Sequence, residues 1–426
     1  NISSMDLVKE DTAAAVEGKP NPVRSMAGTR FEHKHWITDE QIVAMGIPAK
    51  VAQSYRIRYY KKQFGIRSWY STLRAHTFPT AFVDLTFEEA KVLSGACKEY
   101  VRAQNRKNFE VTAPGLIAGS KVLTHLAARI DKTLAEHKFS TVMAKLDTRS
   151  PKDSALYNPS EIAYQQLVKN ELRSLHLPLL GDVYSGDSAN EIVMAFIRAQ
   201  NRALAVCSGL ELLKVFIHSF RISEDLSAAL SYGKDFFDIQ IVLREWDERV
   251  VNHPEGEFRC FVYKGQLNSA TQYFTSVVFP ELVSRKKAIG EQICQYFKKH
   301  VRDKLAETHE SYVIDFLVLS QAPDDIKVVE LNPFYASAGA GCFSWKDDRK
   351  QMMEGPFEIR VVEQKPSSAG RDYFDNWIPL RWREFVCGLV EERKNSRRLK
   401  LGAAFTAFAV GTVAVAISFL RLRRRR

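Results

Sequence analysis

The sequence predicts an α+β protein that ends in a C-terminal transmembrane helix. Stretches of strand character and stretches of helical periodicity follow one another along the 426 residues without strict alternation, which favours α+β over a parallel α/β sheet. The chain has room for two or three domains, and 45% hydrophobic residues suffice for a sizeable core. Residues 401–420 carry no charged side chain, and that length matches the span of a bilayer.

The individual elements follow from periodicity and turn residues. Residues 1–30 are polar, contain Gly18, Pro20 and Pro22, and are predicted to be disordered. Helices are predicted for 85–104, with Thr86 as N-cap and Glu89 three residues later, and for 160–175, 189–205 and 279–305. Strands are predicted for 139–147, 236–246, 312–320 and 326–334. Residues 257–274 are typical of a β-hairpin that turns at Lys264 and Gly265.

The positive charge of the chain is concentrated at its end. The segment from Arg393 to Arg426 holds ten Lys or Arg and no Asp or Glu, so removing 10 from the net charge of +11 leaves +1 for the rest. A nearly neutral body carries no general basic footprint for nucleic acid, and no direct nucleic-acid binding is expected. The six cysteines are widely spaced without a Cys-x-x-Cys pair, which predicts free thiols in a reducing compartment.

The uncharged segment 401–420 predicts a tail anchor, with the body in the cytosol. Basic residues flank the segment on both sides, so the positive-inside rule gives no orientation. Its Ala and Gly content and the basic tail, 421–426, favour the mitochondrial outer membrane or the peroxisome over the endoplasmic reticulum. The alternative is a hydrophobic helix that packs on the body of a soluble protein. Small residues every four positions, Ala403, Ala407 and Gly411, allow a weak homodimer through the anchor, or are ordinary members of the span.

A metal site is predicted where two neighbouring strands carry oxygen-rich side chains. Glu330 and Asn332 lie two residues apart and therefore share one face of their strand. Asp315 lies on the preceding strand, and the short turn between the two strands predicts that they pair antiparallel. Carboxylate and amide oxygens suit Mg²⁺ that carries a nucleotide. The alternative is a surface hairpin whose acids face water, although an unpaired acid among such apolar neighbours is disfavoured.

Basic residues elsewhere in the chain are candidates for binding nucleotide phosphates. Lys145 interrupts an otherwise apolar strand, Lys152 lies in the loop after it, and Arg259 lies in the predicted hairpin. Each of the three is also open to a simpler interpretation as a surface charge whose stem covers apolar neighbours. The sequence contains neither G-x-x-x-x-G-K-[ST] nor G-x-G-x-x-G, so a P-loop or Rossmann site is not supported.

Five blocks of sequence, in order, resemble the signatures of the cell division cycle protein 123 family. They span about residues 57–365 and read RSWYSTLRAHTFPTAFVDL, MAKLDTRSPKDS, IVLREWDERVVNHPEGEFRCFVYKGQL, YVIDFLVL and VVELNPF. The resemblance implies an ATP-grasp fold in which two lobes clamp ATP and magnesium. The implied boundaries are 31–243 for the N-terminal lobe, 244–366 for the C-terminal lobe, and 367–400 for a linker and basic amphipathic helix.

The resemblance also implies roles for particular residues. Lys145 corresponds to a strand lysine at the phosphates, and Lys152 and Asp153 to a loop that covers them. Arg259 corresponds to a phosphate-facing arginine. Leu243, Arg244 and Glu245 correspond to a hinge that holds adenine through backbone groups. The implied magnesium ligands are Asp315, Glu330 and Asn332.

The chain departs from the family pattern at three places. Members usually carry aspartate where this chain has Glu330, and Asn-Trp where it has Asp147 and Thr148; the usual members also lack an anchor. The implied function is an assembly chaperone for eukaryotic translation initiation factor 2, with its gamma subunit as partner. An ATP-grasp ligase or phosphotransferase at a membrane surface is the alternative, although no acceptor site is identified. A scaffold without activity is a third hypothesis, disfavoured by the complete set of nucleotide ligands.

Overall fold

The computed structural model describes most of the body of the chain. The described residues are 37–106, 108, 110–156, 158, 161–175, 186–364, 378–380, 382–392 and 395–396. The N-terminal segment predicted to be disordered, 1–30, lies outside them. Within the described ranges the protein is a mixed α+β fold with two sheets, as the sequence predicts.

Nine strands form the two sheets. The strands are β1 (Thr80–Asp84), β2 (Val142–Leu146), β3 (Ala205–Val206), β4 (Gln240–Glu245), β5 (Glu257–Tyr263), β6 (Gln266–Gln272), β7 (Tyr312–Val318), β8 (Ile326–Pro333) and β9 (Glu358–Arg360). The first sheet has the antiparallel order β1-β4-β2-β3. The second has the order β8-β7-β5-β6-β9, antiparallel except for the parallel pair of β6 and β9.

Helices surround both sheets. Before β2 they are α1 (Asp39–Ala44), α2 (Ala49–Lys62), α3 (Ile66–Leu73), α4 (Phe87–Asn105), α5 (Ala113–Ala118) and α6 (Lys121–His137). Between β2 and β5 they are α7 (Ile162–Ser174), α8 (Gly186–Arg202), α9 (Gly209–Ile217), α10 (Phe220–Ser231) and α11 (Glu248–Asn252). After β6 they are α12 (Pro280–His300), α13 (Arg302–Leu305) and α14 (Arg349–Glu354). Residues 382–392 are also helical.

Local sequence signals explain several of these boundaries. The hydroxyl of Thr86 accepts from the backbone N–H of Glu89 while the Glu89 carboxylate accepts from the backbone N–H of Thr86, so the predicted capping box at the start of α4 is confirmed. The predicted hairpin is confirmed as β5 and β6, and both Lys264 and Gly265 have positive φ in its turn. The left-handed conformation at the turn is the reason a glycine stands there.

Two large cores fill the molecule, and they do not follow a single cut in the chain. One core lies between the first sheet and helices α4, α6, α9 and α10. The other packs the second sheet against α12, and it also contains buried residues of α3, α7 and α8, which precede the second sheet in sequence. The predicted lobe boundary at 243/244 falls inside β4, where Ile241, Val242 and Leu243 are fully buried. The second sheet therefore depends on N-terminal segments for its core.

The predicted membrane anchor needs a correction. None of the helices within the described ranges is both long enough and apolar enough to cross a membrane. The longest of them, α12, has 21 residues but carries charged side chains such as Arg285, Lys286 and Lys287. The predicted tail-anchored location is not retained, and neither is the mitochondrial or peroxisomal address. The segments 401–420 and 421–426, with Ala403, Ala407 and Gly411, lie outside the described residues.

Candidate functional site

The predicted metal ligands lie on one face of the second sheet. Asp315 on β7 is the direct partner of Glu330 on β8, and Arg259 on β5 is the partner of Asp315 on its other side. The pairing of the two carboxylates confirms the predicted antiparallel arrangement of these strands. The pairs Val313–Asn332 and Asp315–Glu330 are in regular register, so Glu330 and Asn332 lie two apart on the same face of β8. Three oxygen-bearing side chains and one guanidinium are thus brought together.

Arg259 engages Asp315 through two hydrogen bonds. Its Nε donates to Oδ1 at 2.9 Å and its Nη2 to Oδ2 at 2.7 Å, and Nη1 also donates to the carbonyl of Ala338. Asp315 is fully buried, and such a carboxylate is tolerated in the interior only with a partner of this kind. The carboxylate against the guanidinium raises the pKa of Arg259 despite burial, so the arginine stays charged.

Lys145 connects the first sheet to this face. It lies on β2, and its Nζ is 3.2 Å from Oε2 of Glu330 on β8. Burial alone would raise the pKa of Glu330, but Lys145, Lys152 and Arg259 together lower it well below its usual range. Glu330 is therefore ionised, and its Oε1 accepts from Nδ2 of Asn332 at 3.3 Å. The lysine that interrupts the apolar pattern of β2 points at the second sheet.

The loop after β2 places Lys152 and Asp153 in different surroundings. The Lys152 ammonium donates to the hydroxyl of Tyr273 at 3.0 Å and lies 4.8 Å from the centre of its ring. Asp153 turns the other way: Oδ1 accepts from the Ser219 hydroxyl at 2.5 Å, and Oδ2 accepts from the backbone N–H of Arg221 at 3.1 Å. Asp153 thus ties the loop to the N-terminus of α10, and its oxygens have protein donors.

A cavity of about 210 Å³ opens between the sheets at this point. Five basic side chains and two carboxylates line it: Lys61, Lys145, Arg149, Lys152 and Arg221, with Asp147 and Glu330. Asn332 lines it as well. An excess of basic over acidic groups in a concave site suits a multiply charged anion such as a polyphosphate. Ligand pockets commonly measure roughly 300–1,000 Å³, so the cavity suits the phosphate part of a nucleotide.

Three of these basic residues were not anticipated from the sequence. Lys61 comes from the end of α2, Arg149 from the loop after β2 and Arg221 from the start of α10. Arg149 is held by ion pairs with Glu224 at 3.0 Å and Asp225 at 2.6 Å. The one available signal was the position of Arg149, four residues after Lys145. Lys61 and Arg221 belong to distant segments of ordinary amphipathic helices, and nothing local distinguishes them.

The residues predicted as an adenine hinge do not line this cavity. Leu243 is buried in the core of the first sheet, and the backbone N–H of Glu245 donates to the carbonyl of Pro79 at 2.9 Å. The Arg244 side chain donates to the carbonyls of Val329 at 2.6 Å and Val328 at 3.3 Å and to the Thr77 hydroxyl at 2.7 Å. Burial lowers the pKa of Arg244 to about 10, which leaves the guanidinium charged at neutral pH. This residue fastens β4 to β8.

The donor set fits a magnesium ion that is carried by a nucleotide. Mg²⁺ in such sites is held by one or two carboxylates, with phosphate oxygens and water as the other ligands. Glu330 and Asn332 line the cavity and offer oxygens to it, whereas both oxygens of Asp315 accept from Arg259. Among the residues that the structure describes, no cluster of three or more His, Cys, Asp or Glu could hold a metal by itself. The site suits a shared ion and lacks a complete protein cage.

Comparison with known proteins finds a family model that matches part of the chain. A model of the D123 family matches residues 195–384. This stretch is less than half of the chain. The D123 match includes Leu243, Arg244, Glu245, Arg259 and the three predicted metal ligands, whereas Lys145, Lys152 and Asp153 precede it. The resemblance seen in the sequence blocks, which begins near residue 57, therefore extends beyond the stretch that the D123 model matches.

One curated relative and two solved structures are similar. A translation initiation factor eIF2 assembly protein of Danio rerio is 25% identical over 154 residues, which cover 35% of this chain and 42% of the relative. The chain thus matches less than half the length of this relative. The structure of Cdc123 from Schizosaccharomyces pombe shows 19% identity and a TM-score of 0.46, covering 71% of this chain and 96% of that one. A C-terminally truncated form gives 18% identity, with the same TM-score and coverage.

Proposed function

We propose that this chain binds ATP with Mg²⁺ in the cavity between its two sheets. The observation that carries the proposal is the Lys145 and Glu330 ion pair at the mouth of a cavity lined by five basic side chains. A polyphosphate placed there meets cations from β2, from the loop after it and from helices α2 and α10, and the acidic and amide oxygens of β8 meet its metal. Neither a lone surface hairpin nor isolated surface lysines would converge in this way.

One group of side chains would bind the phosphates and another would bind the metal. Lys145, Lys152, Arg149, Arg221 and Lys61 would neutralise phosphate oxygens, because lysine and arginine bind phosphate as charge-assisted donors. Glu330 and Asn332 would hold Mg²⁺, which when bound would neutralise charge between neighbouring phosphates. Arg259 holds the Asp315 carboxyl group in place behind them. Strands of the second sheet fix Glu330, Asn332, Arg259 and Asp315, so the metal would meet a preformed face.

We propose further that the ATP-bound chain acts as an assembly factor for translation initiation factor eIF2, with the gamma subunit as its partner. Support comes from the D123 match over residues 195–384 and from the Danio rerio relative, which is named an eIF2 assembly protein. The purified gamma subunit should bind the chain more tightly with Mg²⁺ and ATP than without them. Equal binding with and without nucleotide would show that binding of the gamma subunit does not depend on the ATP site. Absence of binding would exclude the gamma subunit as the partner.

The test of the ATP site is isothermal titration calorimetry on the full chain. Glu330→Gln should weaken binding of ATP with Mg²⁺ at least tenfold, because it removes an anionic ligand and the partner of Lys145, whereas binding of ATP without metal should change less. Glu136→Gln is the matched control, since Glu136 is an exposed member of a helical pair with Lys132. Native affinity for ATP with Mg²⁺ in the Glu330→Gln variant would refute the assignment of the site.

Transfer of a phosphoryl or acyl group to an acceptor is a second candidate function, and one observation favours it. A second cavity of about 410 Å³ borders the first and shares Gly65 and Asp147 with it. Phe237, Leu85 and Ile239 give it an apolar wall, and Arg67 and Lys62 lie at its edge. Steady turnover of ATP that stops in an Arg67→Gln variant with unchanged ATP affinity would support an acceptor there. Absence of turnover with the gamma subunit present would favour simple nucleotide binding.

A further inference from the structure

A short helix after the second sheet packs one face against the body. Residues 382–392 are helical, and their apolar side chains recur every four positions. Ile378, Trp382, Val386 and Val390 are all buried in the core of the second sheet, together with residues of α7 and α8. The amphipathic helix predicted within 367–400 is thus docked on the body. None of the residues of the proposed ATP site lies on this helix.

Trp382 contacts the loop that carries Lys152. Its side chain is fully buried, and the indole Nε1–H donates to the carbonyls of both Ala155 and Leu156, each at 3.1 Å. The ring packs edge-on against Phe196, with the centroids 5.6 Å apart. Two carbonyls of the loop therefore receive their donor from a residue 226 or 227 positions later in the chain. A buried carbonyl without such a donor would be unfavourable.

Among the described residues of 151–158, Lys152 is the one that lines the cavity. Asp153 is fastened to Ser219 and Arg221 at the start of α10. The Asn158 amide donates to the carbonyls of Ser154 and His218. With both flanks fixed and the Ala155 and Leu156 carbonyls held by Trp382, the loop backbone has one arrangement, and that arrangement places the Lys152 ammonium on Tyr273 at the cavity.

We propose that Trp382 is a positioning residue for Lys152, so that the C-terminal helix sets the affinity of the cavity for nucleotide phosphate. The proposal rests on the proposed ATP site. Trp382 lies too deep in the core to touch the ligand, and it acts through the carbonyls of Ala155 and Leu156. A role in packing alone would need only the ring. A role in positioning needs the indole N–H.

The test is the substitution Trp382→Phe, which keeps an aromatic ring and removes the donor. Affinity for ATP with Mg²⁺, measured by calorimetry, should fall about five- to tenfold, the size expected from losing one shared buried hydrogen bond. In the Lys152→Gln background the same substitution should have little further effect, because the residue it positions is gone. Unchanged affinity in Trp382→Phe, or fully additive losses in the double variant, would overturn the proposal.

Val386→Ala is the matched control on the same helix face. Val386 is fully buried and is not among the donors to the loop, so its truncation should lower the thermal midpoint without changing the affinity for ATP. An equal loss of affinity in Val386→Ala would show that any loosening of the helix suffices, against a specific role of the indole N–H. If Lys152→Gln itself leaves ATP binding unchanged, the proposed ATP site fails first, which separates the two proposals.

A measurement on the native protein covers the case in which Trp382→Phe does not fold. Hydrogen exchange of the amides in 153–156 and in 382–392 is followed with and without ATP and Mg²⁺. Because the helix and the loop share hydrogen bonds, ordering Lys152 by phosphate should slow exchange in both segments together. Slowing confined to the loop, with no change in 382–392, would contradict the coupling.

Discussion

The ammonium of Lys145 and the carboxylate of Glu330 form an ion pair at 3.2 Å that joins the first sheet to the second. Lys145 is 7% exposed, so the pair is shielded from water and from salt more than a surface pair would be. Lys145 lies on β2 of the first sheet and Glu330 lies on β8 of the second, so neither sheet contains both partners. A site that depends on this pair exists only when the two sheets are correctly placed against each other.

Replacement of Lys145 by Met should weaken binding of ATP with Mg²⁺ by tenfold or more. The variant nearly keeps the length of the side chain. It removes the positive charge that pairs with Glu330 and that would bind the phosphates. Lys132→Met provides the comparison, because Lys132 is 76% exposed and lies 3.8 Å from Glu136 on the same helix. Calorimetry measures the affinity of both variants for ATP with Mg²⁺. Equal affinities of Lys145→Met and Lys132→Met would count against Lys145 as a phosphate ligand.

Replacement of Arg244 by Met should destabilise the fold by about 2–4 kcal/mol, because buried acceptors on β8 and at Thr77 lose a charged donor. The guanidinium also lies 4.8 Å from the ring centre of Phe78. Arg244→Lys should recover only part of the loss, since a single ammonium cannot reach all three acceptors in the geometry of a planar fork. Urea unfolding measures both, with Arg302→Lys on the surface as control. A fully stable Arg244→Met variant would contradict this role.

The pattern of strands and turns was predictable because local signals determine it. Alternation and a tight turn were enough to place Lys264 and Gly265 in the hairpin and Asp315 opposite Glu330. The spacing of Thr86 and Glu89 was enough to place a helix start. In each case the interacting residues are close in sequence or joined by a short turn, so few arrangements compete.

The partners of the charged side chains were not predictable in the same way. Asp153, grouped with Lys152 from the resemblance, has its carboxylate on Ser219 and Arg221. Arg259 has its guanidinium on Asp315, and Arg244 fastens two strands. The hydrogen-bond partner of each of these side chains depends on which helix or strand comes within about 3 Å of it after the sheets have packed. No periodicity in the sequence encodes that distance.

Two glycines should respond in opposite directions to replacement by alanine. A Cβ on Gly209, at the start of α9, would lie 2.2 Å from the backbone carbonyl oxygen of Ala127 on α6, so Gly209→Ala should cost about 3 kcal/mol as the helices move apart. Gly95 lies inside α4 with no atom within 4 Å of the added Cβ, and Gly95→Ala should stabilise the protein by about 0.5–1 kcal/mol. Thermal unfolding compares them. A loss of stability in both would show that α4 tolerates no added volume.

The buried His218 should make the protein less stable as the solution becomes acidic. Its imidazole is 3.1 Å from the Tyr164 hydroxyl and stacks against Tyr100 at 4.7 Å. Burial, opposed in part by Glu161, lowers the pKa of His218 to about 4. The unfolded chain, with an ordinary histidine, therefore binds a proton between about pH 6.5 and pH 4 that the folded chain does not. Stability is then complete above about pH 6.5 and declines as the pH falls toward 4.

The measurement is the free energy of unfolding in urea at several pH values between 7 and 4.5. His218 should account for about 3 kcal/mol of the total decline by pH 4, and His218→Gln should remove that share while carboxylates continue to supply theirs. His253→Gln is the control, because the His253 side chain is 56% exposed. The comparison of slopes isolates one residue from all the others that titrate in this range. Parallel curves for the native chain and His218→Gln would show that His218 does not contribute to the acid sensitivity.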